Sequence, residues 1–416
     1  MNAVTGIVEN AKKNLHIIIY SPFPSYSGGR ENWLFNLLPY ISKDFNRVFI
    51  YALKSGQDAF YDLSSLDNVI LKKVTTLYRL GYVYMALNRL LLQTLFLLDI
   101  TVVFRLGVKR ALLKEIKPGD VIMAMNSITE CLPALDVKSN GVMARLVSSV
   151  RGRVPEELGV RIPWLRKWFN TLERDCLSRC DAVLANGYDT QAYLRDIGID
   201  STVVPNGVDI RNFQSPSTDD PDLEMLCRLK ENGKRIVLTV ATLRKIKGTD
   251  DLLEAGQILI NRGVRDFLIV FVGKGMQNEY KRKARELGIQ DYVLFVGEKK
   301  NIPGFLSIAD LVVCAFGGGG MPMSVLEAMA AGKPIIAWDT PTYVQLFEHR
   351  SDGYLVKNLD ITALAEGIKT LLEDEKLSKK LAKRAQEKAS QYDWPIVAEK
   401  LLDQLASHPQ EVVRLN

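Results

Sequence analysis

The sequence predicts an α/β protein built from two Rossmann-like, doubly wound domains. Three observations predict it. Strand-like apolar runs alternate with helix-like stretches from end to end. The runs are apolar throughout, as parallel strands buried on both faces must be. The 416 residues exceed a single domain of ~100–200 residues.

In the first half, strands are expected at 16–20, 47–53, 69–74, 120–125, 142–149, 181–187 and 201–207. In the second half they are expected at 235–242, 267–273, 292–297, 311–316, 333–338 and 353–356. The alternation pauses over 210–233, the most polar and turn-rich stretch of mid-chain. That places one domain at 1–209 and the other at 210–392. A C-terminal segment, 393–416, carries a helix at 393–408 with no strand after it.

Composition bounds the function. The 47% hydrophobic and 25% charged content is that of a soluble globular chain. The five cysteines, Cys131, Cys176, Cys180, Cys227 and Cys314, are odd in number and scattered, which suits a reducing compartment. Cys176 and Cys180 stand four apart on an expected helix, but no second pair accompanies them, so a zinc site is not supported. The first fifteen residues are polar and LHIIIY is too short for a secretory segment, so a cytoplasmic location is expected.

Charge is unevenly placed. Residues 1–200 hold 25 Lys+Arg against 19 Asp+Glu, residues 201–416 hold 29 of each, and residues 71–170 hold 16 against 7. The excess suggests an anionic partner for the first half: a membrane surface, a phosphorylated substrate or nucleic acid. A solvated basic face is the alternative. Nucleic acid is set aside, because aromatic residues are not interleaved with the basic ones in any recognised module. The apolar run 82–104 contains Arg89 and Asp99, which disfavours a membrane span. Arg105, Lys109, Arg110, Lys114 and Lys117 follow it. Residues 82–117 therefore read either as a core helix or as a peripheral contact with an anionic membrane face.

Three loops carry the candidate chemistry. The first is GGGGMPMSVLEAMAAGKP, 317–334, where strand LVVCAF passes into helix SVLEAMAA. Ligands of open α/β sheets bind past the carboxyl ends of strands. Glycine lets backbone approach a phosphate, and a helix N-terminus offers free N–H groups. Gly317 to Gly320 thus read as a diphosphate cradle. Locally, Ser324 to Glu327 also fits a capping box, with Glu327 bonding back to the Ser324 amide. The second loop, SPFPSYSGGREN at 21–32, places Gly28 and Gly29 after the first strand, either as an anion contact or as a tight turn. The third, VATLRKIKGTDDLLEA at 240–255, sets Arg244, Lys245 and Lys247 after a strand. Those cations could stabilise a diphosphate leaving group, or simply be solvated.

Together, GGGGMPMSVLEAMAAGKPIIA, VATLRKIKGTDDLLEA, FLIVFVGKG, YVLFVGEKKNIPGFLSIADLVV and VVPNGVD resemble the retaining GT-B glycosyltransferases of family 4. The resemblance covers nearly the whole chain and is weakest between 60 and 170. It implies two Rossmann-like domains facing a cleft, the donor on the second, the acceptor on the first, and the last helix crossing back. It implies a nucleoside-diphosphate sugar as co-substrate, with no metal or other cofactor.

Carried over by position, it gives Glu327 the donor ribose and Lys247 the diphosphate. Gly28 and Gly29 would close on diphosphate and acceptor, and Gly297 would meet the base. Gly319, Gly320, Met321, Pro322, Met323, Ser324 and Val325 would line phosphate and sugar. The chain departs from the family at Gly319, where a second acid is usual, and at Thr242, where an arginine is usual; Arg244 is the nearby substitute. The N-terminal domain also lacks the frequent histidine: His16 starts a strand, His349 and His408 lie far along, and the strand end DVIMAMNS offers Met125 and Asn126. Another strand end offers Ser148, Ser149 and Arg151. The expected function is a retaining hexosyltransferase acting on a lipid-linked or polysaccharide hydroxyl. The alternative is a non-catalytic GT-B partner subunit that binds nucleotide or glycan.

Overall fold

The computed structural model describes residues 12–25, 28–55, 59, 61–77, 96–152, 163–217, 219–316 and 321–406. The chain divides into two compact units. The first takes the chain up to Asn186, Thr190–Val204 and the chain from Ala398; the second takes Gly187–Asp189 and Pro205–Val397.

The first unit runs β1 (Leu15–Ile18), α1 (Gly29–Ile41), β2 (Val48–Leu53), β3 (Val69–Val74), α2 (Phe104–Leu113), β4 (Val121–Ala124), α3 (Cys131–Ser139), β5 (Arg145–Val150), α4 (Pro163–Ser178), β6 (Ala182–Ala185), α5 (Tyr188–Asp196) and β7 (Thr202–Val203). Its strands form one parallel sheet in the order β3-β2-β1-β4-β5-β6-β7. Leu15 pairs with Val48 on one side and Val121 on the other, so β1 sits at the centre. The central strands β1, β2 and β4 are buried along their whole length, as expected of continuous apolar runs covered on both faces.

The second unit runs α6 (Pro221–Glu231), β8 (Arg235–Val240), α7 (Thr249–Asn261), β9 (Phe267–Val272), α8 (Gln277–Glu286), β10 (Val293–Gly297), α9 (Ile302–Ile308), β11 (Leu311–Cys314), α10 (Met323–Ala330), β12 (Ile335–Trp338), α11 (Pro341–Leu346), β13 (Tyr354–Val356), α12 (Ile361–Glu373), α13 (Glu375–Ala389) and the first turn of α14 (Trp394–Ala406). Its sheet is parallel in the order β10-β9-β8-β11-β12-β13. One core packs Leu238, Val270, Val312 and Ala337 under Phe305, Leu326 and Met329. The opposite core packs Val237, Ile269, Val313 and Ile336 under Leu253, Leu259, Leu364 and Ile368. Successive strand residues thus feed opposite faces, which is the strand period of two.

In both sheets the strand order reverses beside the first strand of the unit, between β1 and β4 and between β8 and β11. Loops leaving the carboxyl ends of those pairs border a crevice where ligands of such sheets bind.

Four expectations need adjustment. The units part at Val204/Pro205 and Val397/Ala398, not at 209/210 and 392/393. The Val208 amide donates to the Tyr392 carbonyl at 2.9 Å, and a Cβ on Gly207 would lie 2.4 Å from the Trp394 ring. These contacts hold 205–209 and 390–397 together within the second unit. From Ala398, α14 belongs to the first unit, where the Arg145 guanidinium donates to the Gln404 carbonyl at 3.0 Å.

Cys180 lies beyond the end of α4; its thiol stands 3.9 Å from that of Cys131, and all five cysteines are free. Of the apolar run 82–104, residues 82–95 lie outside the described residues. Asp99, which seemed to interrupt it, is buried and accepts from the Tyr20 hydroxyl at 2.5 Å and the Leu77 amide at 3.1 Å. No helix among the described residues is long and apolar enough to cross a membrane.

Candidate functional site

At the reversal point of the second sheet, β8 is followed by Ala241, Thr242 and buried Leu243, and Arg244 opens a tight turn over Lys245–Lys247. The turn closes through the Lys247 amide on the Arg244 carbonyl at 2.9 Å and the Gly248 amide on the Lys245 carbonyl at 3.0 Å. Gly248 has φ +66°, and a Cβ there would lie 2.0 Å from the Ala315 carbonyl oxygen just past β11. Only glycine permits both that backbone and that approach. The β8 loop is thereby pressed against the root of the glycine run.

Lys247 is half-buried, with its ammonium 5.2 Å from the centre of the Phe316 ring. Burial first, and the neighbouring Arg244 second, push its pKa below the ordinary lysine value. Neither Lys247 nor Arg244 holds a salt bridge among the described residues. A cation drawn out of water without a paired anion is held at a desolvation cost that a bound anion would offset. Thr242 is partly buried, and exposed Arg244 is the cation that stands two residues on.

The edge continues through glycines. The Gly273 amide donates to the Gly297 carbonyl at 2.7 Å, which draws the ends of β9 and β10 together. Gly297 has φ +80°, and a Cβ on Gly273 would lie 2.0 Å from the Ala241 carbonyl oxygen. Gly297, Gly273, the β8 loop and Ala315 therefore form one row of close backbone contacts.

Past β11, Gly319 and Gly320 lie outside the described residues, with 317 and 318. Met321 is buried, and its carbonyl accepts from the Asn206 amide at 2.6 Å. Pro322 is the N-cap of α10, with no side-chain cap. Met323, Ser324 and Val325 form the first turn, Val325 turned into the core. The capping box is therefore not formed: Ser324 is already helical, two residues past the cap. Freed of that role, the Glu327 carboxylate has no hydrogen bond or ion pair among the described residues. The side chain is half-buried, and desolvation pushes its pKa up to about 7.

In the first unit, Gly28 is an extended N-cap of α1, and its carbonyl accepts from the Asn32 amide at 2.9 Å. Gly29 is exposed, and a Cβ on it would meet nothing within 4 Å, so packing does not require glycine there. Glu130, in the loop after β4, was not singled out from sequence. It is fully buried and accepts from the Tyr20 amide at 2.9 Å and the Arg30 guanidinium at 3.5 Å, tying the β1 loop to the β4 loop. An acid just outside an apolar strand, in NSITECL, was its only signal.

Met125 and Asn126 are buried, and the Asn126 side-chain oxygen accepts from the Ser127 amide at 2.8 Å. Ser148 donates to the Asn126 carbonyl at 3.3 Å. Arg151 lies 3.4 Å over the Trp33 ring and donates to the Ser149 hydroxyl at 3.1 Å. These strand-end residues are engaged in holding the loops. His16 is buried between the Tyr51 hydroxyl at 3.0 Å and Asp120 at 3.1 Å, inside the core, as its strand position suggested. His349 Nδ1 accepts from the Leu355 amide at 3.1 Å.

Two doubly wound parallel sheets in one chain, each with its loops gathered at a reversal point, define a two-domain protein of the GT-B class. HepE of Anabaena, solved with UDP, matches 95% of this chain and 100% of its own with a TM-score of 0.72 at 20% identity. At that identity the likeness bears on fold alone. Residues 228–388 match the family model "Glycosyl transferases group 1", and residues 27–212 match "Glycosyltransferase Family 4".

Two relatives sharpen the comparison. The lipopolysaccharide core biosynthesis mannosyltransferase of Rhizobium meliloti is 29% identical over 206 residues, 48% of this chain and 57% of that one. The UDP-Gal:α-D-GlcNAc-diphosphoundecaprenol α-1,3-galactosyltransferase of Escherichia coli is 26% identical over 267 residues, 62% of this chain and 68% of that one. The matched stretches thus span between about half and two thirds of these relatives. The chain belongs to the GT-B glycosyltransferases of family 4, group 1.

Proposed function

We propose that the protein is a retaining, metal-independent glycosyltransferase. It moves a sugar from a nucleoside-diphosphate sugar to a hydroxyl of a lipid-linked or polysaccharide acceptor. The observation that carries this reading is Glu327, a desolvated carboxylate with no hydrogen-bond or ion-pair partner among the described residues, set one turn into the helix that follows β11. Two ribose hydroxyls supply the donors such a group lacks. Lys247, with Arg244 beside it, stabilises the diphosphate as charge develops on it. The loop from Gly319 through Val325 lines phosphate and sugar, Gly297 meets the base, and Gly28 and Gly29 approach diphosphate and acceptor.

In the reaction, the bond between sugar C1 and the β-phosphate oxygen breaks, and the acceptor oxygen bonds C1 on the same face. The acceptor proton passes to the departing diphosphate. No protein base is needed, which suits a chain whose described histidines, His16 and His349, are engaged elsewhere. Positioning then supplies much of the acceleration. A lipid-linked acceptor is supported by the Escherichia coli relative, whose named substrate is a diphosphoundecaprenol. The reaction is placed on the cytoplasmic side of a membrane, with residues 82–117 facing its anionic surface.

The test is turnover over a panel of nucleotide sugars and lipid-linked acceptors, with product anomers read by NMR. Glu327→Ala should raise the donor KM at least ~10-fold, the loss of charge-assisted hydrogen bonds. An α-linked donor should give an α-linked product, and EDTA should leave the rate unchanged. An unchanged donor KM removes Glu327 from the site, an inverted product removes the retaining mechanism, and rate loss to EDTA removes metal independence.

A further inference from the structure

Among the described residues, the helical layer on one face of the first sheet carries a set of exposed apolar side chains. Helices α2, α3 and α4 all bury residues in one core, among them Phe104, Val108, Cys131, Leu135, Leu165 and Phe169. Their opposite sides therefore point away from the sheet together. On α4, Trp164 is 70% exposed and Trp168 41% exposed. They stand four apart, on one helical face. Leu98, Val102 and Leu106, also four apart, are exposed on the helical turns leading into and along α2, and Leu113 at its end is exposed too.

Among the described residues of α2, α3 and α4 and the turns that follow α2, each acid is paired or buried, which leaves cations in excess. Glu115 is held by Lys72 at 2.6 Å, Asp136 by Arg105 at 2.7 Å and Asp175 by Arg179 at 3.7 Å, while Glu173 is buried. Arg110, Lys114, Lys117, Lys167 and Arg174 are exposed and hold no salt bridge among the described residues. A groove of about 780 Å³ opens beside α4, with Lys167, Thr171 and Arg174 in its wall together with Asp175 and Asp196.

The geometry points to a docking surface for an anionic phospholipid bilayer, with the first two turns of α4 as its anchor. Trp164 and Trp168 enter the interfacial zone, where an indole is apolar over its body and polar at its N–H. Leu98, Val102, Leu106 and Leu113 extend the apolar contact, and the five cations meet headgroup phosphates. The inference deepens the membrane placement proposed above. It moves the anchor from the 82–117 segment to α4, a helix with no excess of apolar residues in sequence. It does not rest on the donor site.

The experiment is flotation of the full chain with vesicles of phosphatidylglycerol and phosphatidylcholine, and with phosphatidylcholine alone, at low and high salt. Wild type should float with the anionic vesicles at low salt and lose most binding at high salt. Trp164→Ser with Trp168→Ser should reduce the bound fraction at least ~10-fold, and the paired change to Phe should restore most of it. Because both indoles are exposed, the variants should keep the wild-type unfolding midpoint, which is measured alongside. Removing Arg110, Lys114 and Lys117 should weaken binding roughly fivefold per cation.

Binding that the Trp pair leaves unchanged but the cation variant abolishes overturns the α4 anchor and leaves the 82–117 placement standing. Failure of wild type to float overturns both. Self-association that the Trp→Ser pair dissolves, without flotation, assigns the surface to a second copy and overturns the bilayer. None of these outcomes alters the nucleotide-binding test.

Discussion

Glu327 concentrates the chemical argument at the scale of one residue. Its pKa is raised from 4.5 to about 7 by desolvation, so the folded chain holds the proton more tightly than the unfolded chain does. That preference stabilises the fold fully below pH 4.5, and the stabilisation is lost as pH rises through about 7. Ribose hydroxyls donate to the ionised carboxylate and favour it. Nucleotide affinity should therefore rise as pH climbs through about 7, and Glu327→Gln should flatten that rise. Titration calorimetry across pH ~5.5–8 checks it, and equal pH dependence in both proteins would contradict it. The residue was legible because an acid stood alone in an apolar turn. The capping alternative could not be dismissed from sequence, because helix start depends on Pro322 and not Ser324 taking the cap, a matter of two residues. Glu130 and the exposed Trp164 and Trp168 were less legible. Burial of the first and exposure of the others are set by partners far along the chain.

At the scale of elements, glycines sort into those the backbone requires and those it does not. Gly248 combines φ +66° with a 2.0 Å approach to the Ala315 carbonyl, so Gly248→Ala should destabilise by at least about 2 kcal/mol. Gly29 faces open space, so Gly29→Ala should stay within about 0.5 kcal/mol of wild type while lowering turnover. Denaturant midpoints measured beside activity separate the two. A stability loss at Gly29 would return it to an ordinary turn glycine, and a neutral Gly248→Ala would mean the β8 loop is not pressed on β11. Each of the thirteen runs read from sequence contains a strand, though 201–207 only at Thr202–Val203, because most of them are buried parallel strands that declare themselves by continuous apolarity. Helix ends and side-chain pairings were not legible, since Cys180 falls past α4 and Asp99 turns inward to Tyr20 through contacts distant in sequence.

At the scale of the whole molecule, the doubly wound order explains why two loops far apart in sequence, 240–255 and 317–334, leave neighbouring strands of the second unit. The order β10-β9-β8-β11-β12-β13 makes β8 and β11 neighbours, which brings Lys247 to Phe316. The alternation of elements made this class legible. The points where the chain passes between units were misplaced, because they are fixed by Val208 on Tyr392 and Gly207 on Trp394, pairings between residues nearly two hundred apart. The central claim is a nucleoside-diphosphate site on the second unit, built on Lys247 and Glu327. Its most direct test is thermal unfolding with UDP, GDP, ADP and dTDP, each alone, for wild type, Glu327→Ala and Lys247→Ala. A ligand at ~100 times its Kd stabilises by ~2.7 kcal/mol, a readily measured shift. The account predicts that one nucleotide raises the wild-type midpoint and that both variants lose most of the rise. No rise with any nucleotide, or a rise that both variants keep, would contradict it.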